Sequence, residues 1–325
     1  AAVVLGGLVE RIKFSAICIF AIIWPLLSYY PLAHMAWFWP GATSVIGQSA
    51  DQINQHAGLF WRWGLLDFAG GTVVEINCGV SALVGCLVLG SRQGYRNEPM
   101  APHSLTLAYV GAGLLWIGWF GFNAGSALEA NDYAILAMAN TLLATAAAGI
   151  SWAAFEWIFS SKPSMLGFAS GVVAGLVGVT PAAGYIGPMG AIILGLIVSP
   201  ICIIFCAKVK AALKYDDSLD AFGIHGIGGM VGTIATGILA SPILGGAGAV
   251  DYFNCTINGC ASMDYNILTQ TWAQLKSVIV AIAWAACASA ITFNIIKYTI
   301  GLRVNSDAEE DGLDIAEHGE RAYHH

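Results

Sequence analysis

The sequence predicts an all-α integral membrane protein, and three observations lead to that class. Of its 325 residues, 57% are hydrophobic and only 10% are charged, whereas soluble domains carry about 25% charged residues. The mean hydropathy is +0.71. The apolar residues form runs of roughly 20, the length that crosses the hydrocarbon core of a bilayer as a helix. A soluble enzyme, a disordered chain and a small disulfide-framed domain are therefore excluded.

Eight such apolar runs can be counted, and residues 1–9 resemble the end of a ninth. The runs cover residues 14–37, 66–90, 105–123, 133–159, 165–183, 186–207, 222–244 and 272–300. A transmembrane β-barrel would need alternating segments of about ten residues, and these runs are longer and uniformly apolar. Because the chain starts at an alanine inside an apolar run, without a charged signal region, we expect further helices upstream of residue 1.

Lysine and arginine predict the orientation, since they concentrate in cytoplasmic loops. The loops placed inside by this rule are residues 10–13, 91–104, 160–164, 208–221 and 301–325. With Lys297 at the inner end of the last run, 11 of the 13 basic residues lie on that side, and only Arg62 and Lys276 lie outside. The pattern predicts a multi-pass protein of the cell membrane with a cytoplasmic C-terminal tail.

The charge distribution divides the chain into a transmembrane domain, residues 1–304, and an acidic tail, residues 305–325. The tail holds seven acids and one arginine, while the rest of the chain has 12 bases and 13 acids. No basic stripe indicates nucleic-acid binding. The sequence also lacks a nucleophile triad, a metal-ligand cluster and a phosphate-binding loop, so neither an enzyme nor a bound metal or cofactor is expected.

Two of the eight cysteines lie in a predicted loop. Cys255 and Cys260 are five residues apart in the outer loop 245–271, where a disulfide and two free thiols are both compatible with the sequence. The other cysteines lie in predicted spans, where this residue is usually a small buried hydrophobe.

Ionisable side chains inside predicted spans mark candidate sites, because charge is costly in lipid. Glu156 lies near an inner helix end, and Asp67 opens its span, where its carboxylate can accept backbone N–H bonds. Both favour structural roles, although Asp67 could also help to hold a cation. Glu75 is different: if the segment is helical, it lies about 12 Å beyond Asp67, near the midplane.

His225 is the expected partner of Glu75. It follows Asp220 by five residues on a span that runs in the opposite direction. Two antiparallel helices that each begin with an aspartate and then carry one ionisable group are typical of an inverted repeat, which places its substrate site near the midplane. Two unrelated buried polar groups are the alternative.

These residues together favour a small cation that can lose a proton. The Glu75–His225 pair can exchange a proton, the face of Trp37 can attract a cation, and Ser126 offers an acceptor oxygen. The remaining apolar residues would penalise a hydrated metal ion. The residues by themselves therefore favour ammonium over sodium or potassium.

Several longer stretches, in order along the chain, carry a resemblance to a known family. They are ERIKFSA, LSYYPLAHMAW, DFAGGTVVEIN, GWFGFNAGSA, GLVGVTPAAGYIGPMGA, DAFGIHGIGGMVGT and, in the tail, GLRV and GLDIAEHGERAY. On these stretches the sequence resembles the ammonium transporter family (Amt/Mep/Rh), the bacterial Amt branch most closely. The resemblance implies an eleven-helix bundle with a pseudo-two-fold inverted repeat, assembled as a homotrimer with one pore per subunit. The eight spans would be helices four to eleven.

The resemblance also implies roles for residues near the outer mouth. Trp37 and Ser126 resemble the family's recruitment site for ammonium. Phe122 resembles one of two stacked phenylalanines that close the mouth, and its partner would lie upstream of residue 1. Trp119 and Thr180 are weaker candidates for pore neighbours.

The resemblance also implies roles for residues below the outer mouth. Asp67 resembles the family's carboxylate below the vestibule. His225 resembles the second member of the pore's twin-histidine pair. Glu75 is a departure, because it stands where the family usually has the first histidine; some fungal members are similar in carrying an acid there. The loop 38–65 is also longer than usual.

The leading hypothesis is an inward ammonium transporter that deprotonates its substrate and relays the proton. An ammonium sensor that conducts little, an Rh-like neutral ammonia channel and a membrane enzyme are the alternatives. The resemblance adds an expected partner, a PII-type signalling protein on the cytoplasmic face to which the tail would respond.

Overall fold

The computed structural model of this protein describes residues 1–41, 44, 47–256, 259–262 and 264–321, and of residues 50 and 250–262 only the backbone. Helices dominate the described residues, as the sequence predicts. The helices are α1 Ala2–Leu5, α2 Phe14–Trp37, α3 Ala50–His56, α4 Leu59–Arg62, α5 Gly71–Leu89, α6 Leu105–Gly125, α7 Asp132–Ser160, α8 Met165–Val179, α9 Pro188–Leu213, α10 Phe222–Leu239, α11 Ile267–Thr299, α12 Ser306–Asp311 and α13 Leu313–His318.

Each of the eight predicted apolar runs overlaps one of these helices, and four of the helices extend beyond the run that predicted them. Within the described ranges, seven helices are long and apolar enough to cross a membrane, and the eighth, α8, is a shorter apolar helix of 15 residues. Residues 1–9 form only the short helix α1 followed by turns. The predicted class of a multi-pass helical membrane protein is therefore confirmed.

Small residues allow the helices to pack closely. A Cβ added at Gly175 of α8 would lie 2.6 Å from the Cβ of Ala148 on α7, and one at Gly171 would lie 2.5 Å from the Cβ of Trp152. A Cβ at Gly195 of α9 would overlap the backbone of Ala144 on α7. In lipid the hydrophobic effect does not hold helices together, and the van der Waals packing that this close backbone approach allows takes its place.

One end of the molecule is built from four of the predicted inner loops. Arg11 is fully buried there, and it donates to the carbonyl of Gly90 at 2.8 Å, to the carbonyl of Asp216 at 2.6 Å and to the hydroxyl of Ser218 at 2.7 Å. The guanidinium of Arg92 binds the carboxylate of Asp216 through two hydrogen bonds, of 2.9 and 3.0 Å. These loops therefore share one side, as the charge pattern predicts.

The tail lies against the same end. Glu309 of α12 accepts three hydrogen bonds from Arg303 and one from the backbone N–H of Gln93 at 2.8 Å. Glu317 of α13 accepts from the backbone N–H of Phe14 at 3.1 Å, and the rings of Phe14 and His318 meet edge to face at 5.0 Å. Residues 305–321 are therefore docked on the body rather than extended into solvent.

The opposite end contains the one departure from an all-α description among the described residues. Strands β1 Val250–Thr256 and β2 Gly259–Ser262 form an antiparallel hairpin in the loop before α11. Cys255 and Cys260 are register partners in that hairpin, but their side chains lie outside the described part of the structure, so the disulfide stays a prediction. Lys276 lies over the ring of Trp63 at this end, 4.8 Å from its centroid.

Candidate functional site

The centre of the candidate site is a hydrogen bond between Glu75 on α5 and His225 on α10. Glu75 Oε2 lies 2.6 Å from Nδ1 of His225. The Glu75 side chain is 1% exposed and that of His225 is 12% exposed. The other carboxylate oxygen, Glu75 Oε1, is buried and has no hydrogen-bond partner among the residues that the structure describes. The pairing predicted from the sequence is present, and it leaves one acceptor oxygen free for another donor.

Glycines on the two helices make this pairing geometrically feasible. Gly79, one turn after Glu75, lies so close to α10 that a Cβ there would overlap the backbone of Gly226 and lie 3.1 Å from the carbonyl carbon of His225. Gly229, one turn after His225, lies equally close to α5, where a Cβ would lie 2.8 Å from the Cβ of Glu75. The backbones therefore cross in contact, with one ionisable side chain projecting from each.

Both ionisable residues also lie in π-helical turns. Glu75 falls in the turn Gly71–Ile76, and His225 falls in the turn Phe222–Gly226. π-helical turns are rare in proteins, but those that occur are frequently found at functional sites. The extra residue in the turn changes the direction in which its side chains project.

Asp67 lies before α5 rather than inside it. Its Oδ1 accepts from the N–H of Gly70 at 3.0 Å, and its Oδ2 accepts from the N–H groups of Thr72 at 2.9 Å and Val73 at 3.3 Å. Gly70 has φ 118°, which only glycine adopts readily. The helix thus begins at Gly71, and residues 67–70 are not helical. The helical rise of about 12 Å that we expected between Asp67 and Glu75 is therefore wrong.

Asp217 plays the same structural role for α10, a role that the sequence pattern had indicated for Asp220 instead. The Asp217 carboxylate accepts from the N–H groups of Ala221 at 3.0 Å and Phe222 at 2.7 Å. Asp220, the expected counterpart of Asp67, forms an ion pair with Lys210 instead. The spacing is informative in retrospect, since Asp67 precedes Glu75 by eight residues and Asp217 precedes His225 by eight.

Trp37 contacts the Asp67 segment at the end of α2. Its indole Nε1–H donates to the backbone carbonyl of Asp67 at 2.8 Å, and its side chain is 37% exposed. The hydrogen bond fixes the ring, and the exposed fraction leaves part of the ring accessible to a ligand. The structure therefore brings Trp37, a candidate for the recruitment site, next to Asp67, the candidate carboxylate below it.

A second set of contacts connects this segment to α6. The backbone N–H of Ala69 donates to the carbonyl of Thr180 at 3.2 Å, and the Thr180 hydroxyl accepts from Nε1 of Trp119 at 2.9 Å. The ring of Trp119 lies 5.0 Å from that of Phe122, whose carbonyl accepts from the Ser126 hydroxyl at 2.8 Å. Because that hydroxyl donates its only proton to Phe122, the Ser126 oxygen retains acceptor capacity.

Glu156 has the structural role that its position predicts. Its carboxylate accepts from the backbone N–H of Ser164 at 2.7 Å and from Nε1 of Trp152 at 3.2 Å. It therefore joins the end of α7 to the start of α8. These hydrogen bonds involve neither Glu75 nor His225, so Glu156 is not part of their site.

The buried carboxyl of Asp217 gives folding a pH dependence. Burial, and after it the negative charge of Asp220, raise the pKa of Asp217 to about 6, above the usual value of about 3.9. The folded protein then keeps a proton that the unfolded chain releases, so this stabilising effect is complete below about pH 4 and is lost as the pH rises through about 6.

We expect the apparent melting temperature in detergent to fall between about pH 4 and pH 7, and Asp217→Asn to reduce that slope. The effect on the free energy of unfolding is on the order of 2 to 3 kcal/mol. Equal slopes in the two proteins would show that another group titrates in this range.

The comparisons with known proteins agree on one family. The family model described as "Ammonium Transporter Family" matches residues 1–323. An ammonium transporter of Aquifex aeolicus is 42% identical over 322 residues, which are 99% of this chain and 68% of that protein. One of Bacillus subtilis is 38% identical over 99% of this chain and 72% of its own length.

Solved structures give the same result. Saccharomyces cerevisiae Mep2 superposes with a TM-score of 0.77 at 30% identity, covering 94% of this chain and 64% of that one. A structure titled "Sensor Amt Protein" gives a TM-score of 0.79 at 29% identity, covering 97% and 73%. The chain thus spans roughly two thirds to three quarters of the relatives it matches. With a family model over nearly its whole length and relatives at up to 42% identity, the chain belongs to the ammonium transporter family.

Proposed function

We propose that this protein moves ammonium across a membrane and deprotonates it at the Glu75–His225 pair. The observation that carries the proposal is the buried pair itself, with a 2.6 Å hydrogen bond and one unpartnered carboxylate oxygen. Ammonium enters with four N–H donors and leaves one proton behind. Its site therefore needs a free acceptor oxygen next to a second group that can exchange a proton.

Recruitment would take place where Trp37 and Ser126 lie. The exposed part of the Trp37 ring offers a negative π face, which attracts a small cation by about 0.5 to 2 kcal/mol. The Ser126 oxygen accepts one N–H. Asp67 supplies negative charge nearby, although its carboxylate oxygens are already engaged with backbone N–H groups.

Deprotonation follows at Glu75. An N–H bond of ammonium breaks as an O–H bond forms on the free Oε1, and neutral ammonia continues. When the carboxyl group rotates so that its protonated oxygen faces an unprotonated Nδ1 of His225, the O–H bond breaks as an N–H bond forms on Nδ1. The 2.6 Å separation of Glu75 Oε2 and His225 Nδ1 places the two groups within reach of this transfer.

The matched arrangement around the two helices supports an inverted repeat. Each helix has an aspartate cap eight residues before its ionisable residue, a π-helical turn that contains that residue, and a close-contact glycine one turn later. We extend this to the family's eleven-helix bundle and to a homotrimer with one pore per subunit. Native mass spectrometry in mild detergent should give three subunits, and a monomer would contradict the assembly.

The tail is proposed to be cytoplasmic and to regulate transport, with a PII-type signalling protein as its partner. Its contacts with Arg303, Gln93 and Phe14 support this, because they connect the tail to the end of the molecule that the predicted inner loops form. We expect deletion of residues 305–325 to change the transport rate while leaving the oligomer intact. Unchanged flux together with unchanged partner binding would remove the regulatory role.

The direct test of the function is an ammonium pulse on purified protein in proteoliposomes, measured as current on a solid-supported membrane. A transient current that saturates with ammonium supports transport of charge. Ammonium-dependent alkalinisation without current would instead indicate a neutral ammonia channel, and ligand binding without flux would indicate a sensor.

A further inference from the structure

A third side chain completes a ligand set around the Glu75–His225 pair. Cys78 lies three residues after Glu75 on α5, and it is buried with its thiol directed at the carbonyl oxygen of Glu75, 3.4 Å away. One ligand atom each from Glu75, Cys78 and His225 lies within 4.8 Å of the others. Residues at i and i+3 share a helix face, so two ligands come from α5 and the third from α10.

We propose that Glu75, Cys78 and His225 bind one zinc-type divalent cation per subunit. A carboxylate oxygen, a thiolate sulfur and an imidazole nitrogen are the ligands that Zn²⁺ takes in proteins, and three protein ligands with a water in the fourth position make an open site. Tetrahedral zinc places its ligand atoms roughly 3.3 to 3.8 Å apart, so side-chain shifts of about 1 Å from the present geometry would close the site.

Charge balance favours a divalent ion. A thiolate and a carboxylate contribute two negative charges, neutral imidazole contributes none, and Zn²⁺ cancels the sum. Since a net charge buried in a low-dielectric site is costly, a neutral complex suits this position better than one with a monovalent ion. The metal would also give a partner to the buried Glu75 Oε1, which has none among the described residues.

The consequence is competition with transport, and this part rests on the proposed function. A metal on Glu75 would occupy the oxygen that accepts the proton of ammonium, so zinc would act as a pore inhibitor. Metal binding itself does not depend on transport. Zinc binding and zinc inhibition of transport are therefore measured in separate experiments.

Binding is measured first, on the full chain in detergent, by dialysis against Zn²⁺ and metal analysis. We expect one Zn²⁺ per subunit that Cys78→Ser weakens by at least ~10-fold, since even the partners that support a metal ligand contribute about that much. Cys86→Ser is the matched control, because Cys86 is also buried on α5 and also donates to a carbonyl three residues earlier, that of Leu83. Cd²⁺ should give a stronger thiolate-to-metal charge-transfer band in the wild type and in Cys86→Ser than in Cys78→Ser, where any remaining band comes from other free cysteines such as the exposed Cys18 and Cys287.

Zinc retained by the terminal His324 and His325 would be present in all three proteins and is subtracted as background. If Cys78→Ser does not fold, Cys78→Ala replaces it as the variant without the thiol. Zinc stoichiometry and cadmium absorption that are identical with and without Cys78 would overturn the site. If binding follows the expected pattern but no ammonium current exists in any protein, the metal site stands and the transport proposal fails.

Discussion

Glu75→Gln is expected to abolish ammonium-driven current while leaving the fold and outer-site binding in place. Glutamine has the shape of glutamate and can still accept a hydrogen bond, but it cannot take up the proton that ammonium must lose. Proton transfer by a positioned side chain is worth about 10² to 10⁴ in rate, so the current should fall at least ~100-fold. The measurement is the ammonium-evoked current of the variant in proteoliposomes, normalised to the amount of folded protein.

Glu156→Gln is the matched control for this experiment. It makes the same chemical change in another membrane helix, at a carboxylate that joins α7 to the Ser164 backbone rather than to His225. Its current should stay close to that of the wild type. If Glu75→Gln also carries wild-type current at every pH, Glu75 is a structural hydrogen-bonding group and has no part in proton relay.

Glu75→His gives the complementary result. It restores two imidazoles at the positions where the family usually has them, so some transport should survive. The pH dependence should shift, because a free imidazole titrates near ~6.5 and a free carboxyl near ~4.3. An unchanged pH profile would show that residue 75 does not set the proton affinity of the pair.

Gly79→Ala is expected to be the most destabilising small substitution near the site. The added methyl group would overlap the backbone nitrogen and Cα of Gly226, and a clash between two backbones cannot be relieved by a change of rotamer. Overpacking typically costs about 1 to 3 kcal/mol, and a clash with backbone atoms belongs at the upper end of that range. Because α5 and α10 would be forced apart, the Glu75–His225 hydrogen bond should lengthen, and current should be lost from any protein that folds.

Gly190→Ala is the control for Gly79→Ala. Gly190 is also buried, in α9, but a Cβ there would meet the Cβ atoms of Ile186 and Leu239 at 3.7 Å, which is an ordinary contact. Its melting temperature should equal or slightly exceed that of the wild type, since alanine is the better helix former. Similar melting temperatures for the two variants, measured by size-exclusion chromatography after heating, would contradict the close-contact argument.

Much of the fold and half of the site follow from local sequence. Apolar runs of membrane length determine the helical class, because lipid leaves the backbone no other partner than itself. The distribution of lysine and arginine correctly grouped four loops. Three of them meet at one end through Arg11, Arg92 and Asp216, and the fourth joins them through the contact of Glu309 with Gln93. The isolation of Glu75 and His225 in apolar surroundings was enough to predict that they pair, since each needs a partner in the membrane.

The rest required the tertiary structure. Asp67 and Asp220 looked equivalent in sequence, but a carboxylate caps a helix only where the backbone N–H groups point at it, and this geometry selects Asp67 and Asp217. The contact between Gly79 and Gly226 joins residues far apart in the chain, as does the approach of Cys78 to His225. Composition and periodicity report which residues must be buried, whereas the identity of their neighbours depends on how two helices cross, and only the folded chain decides that.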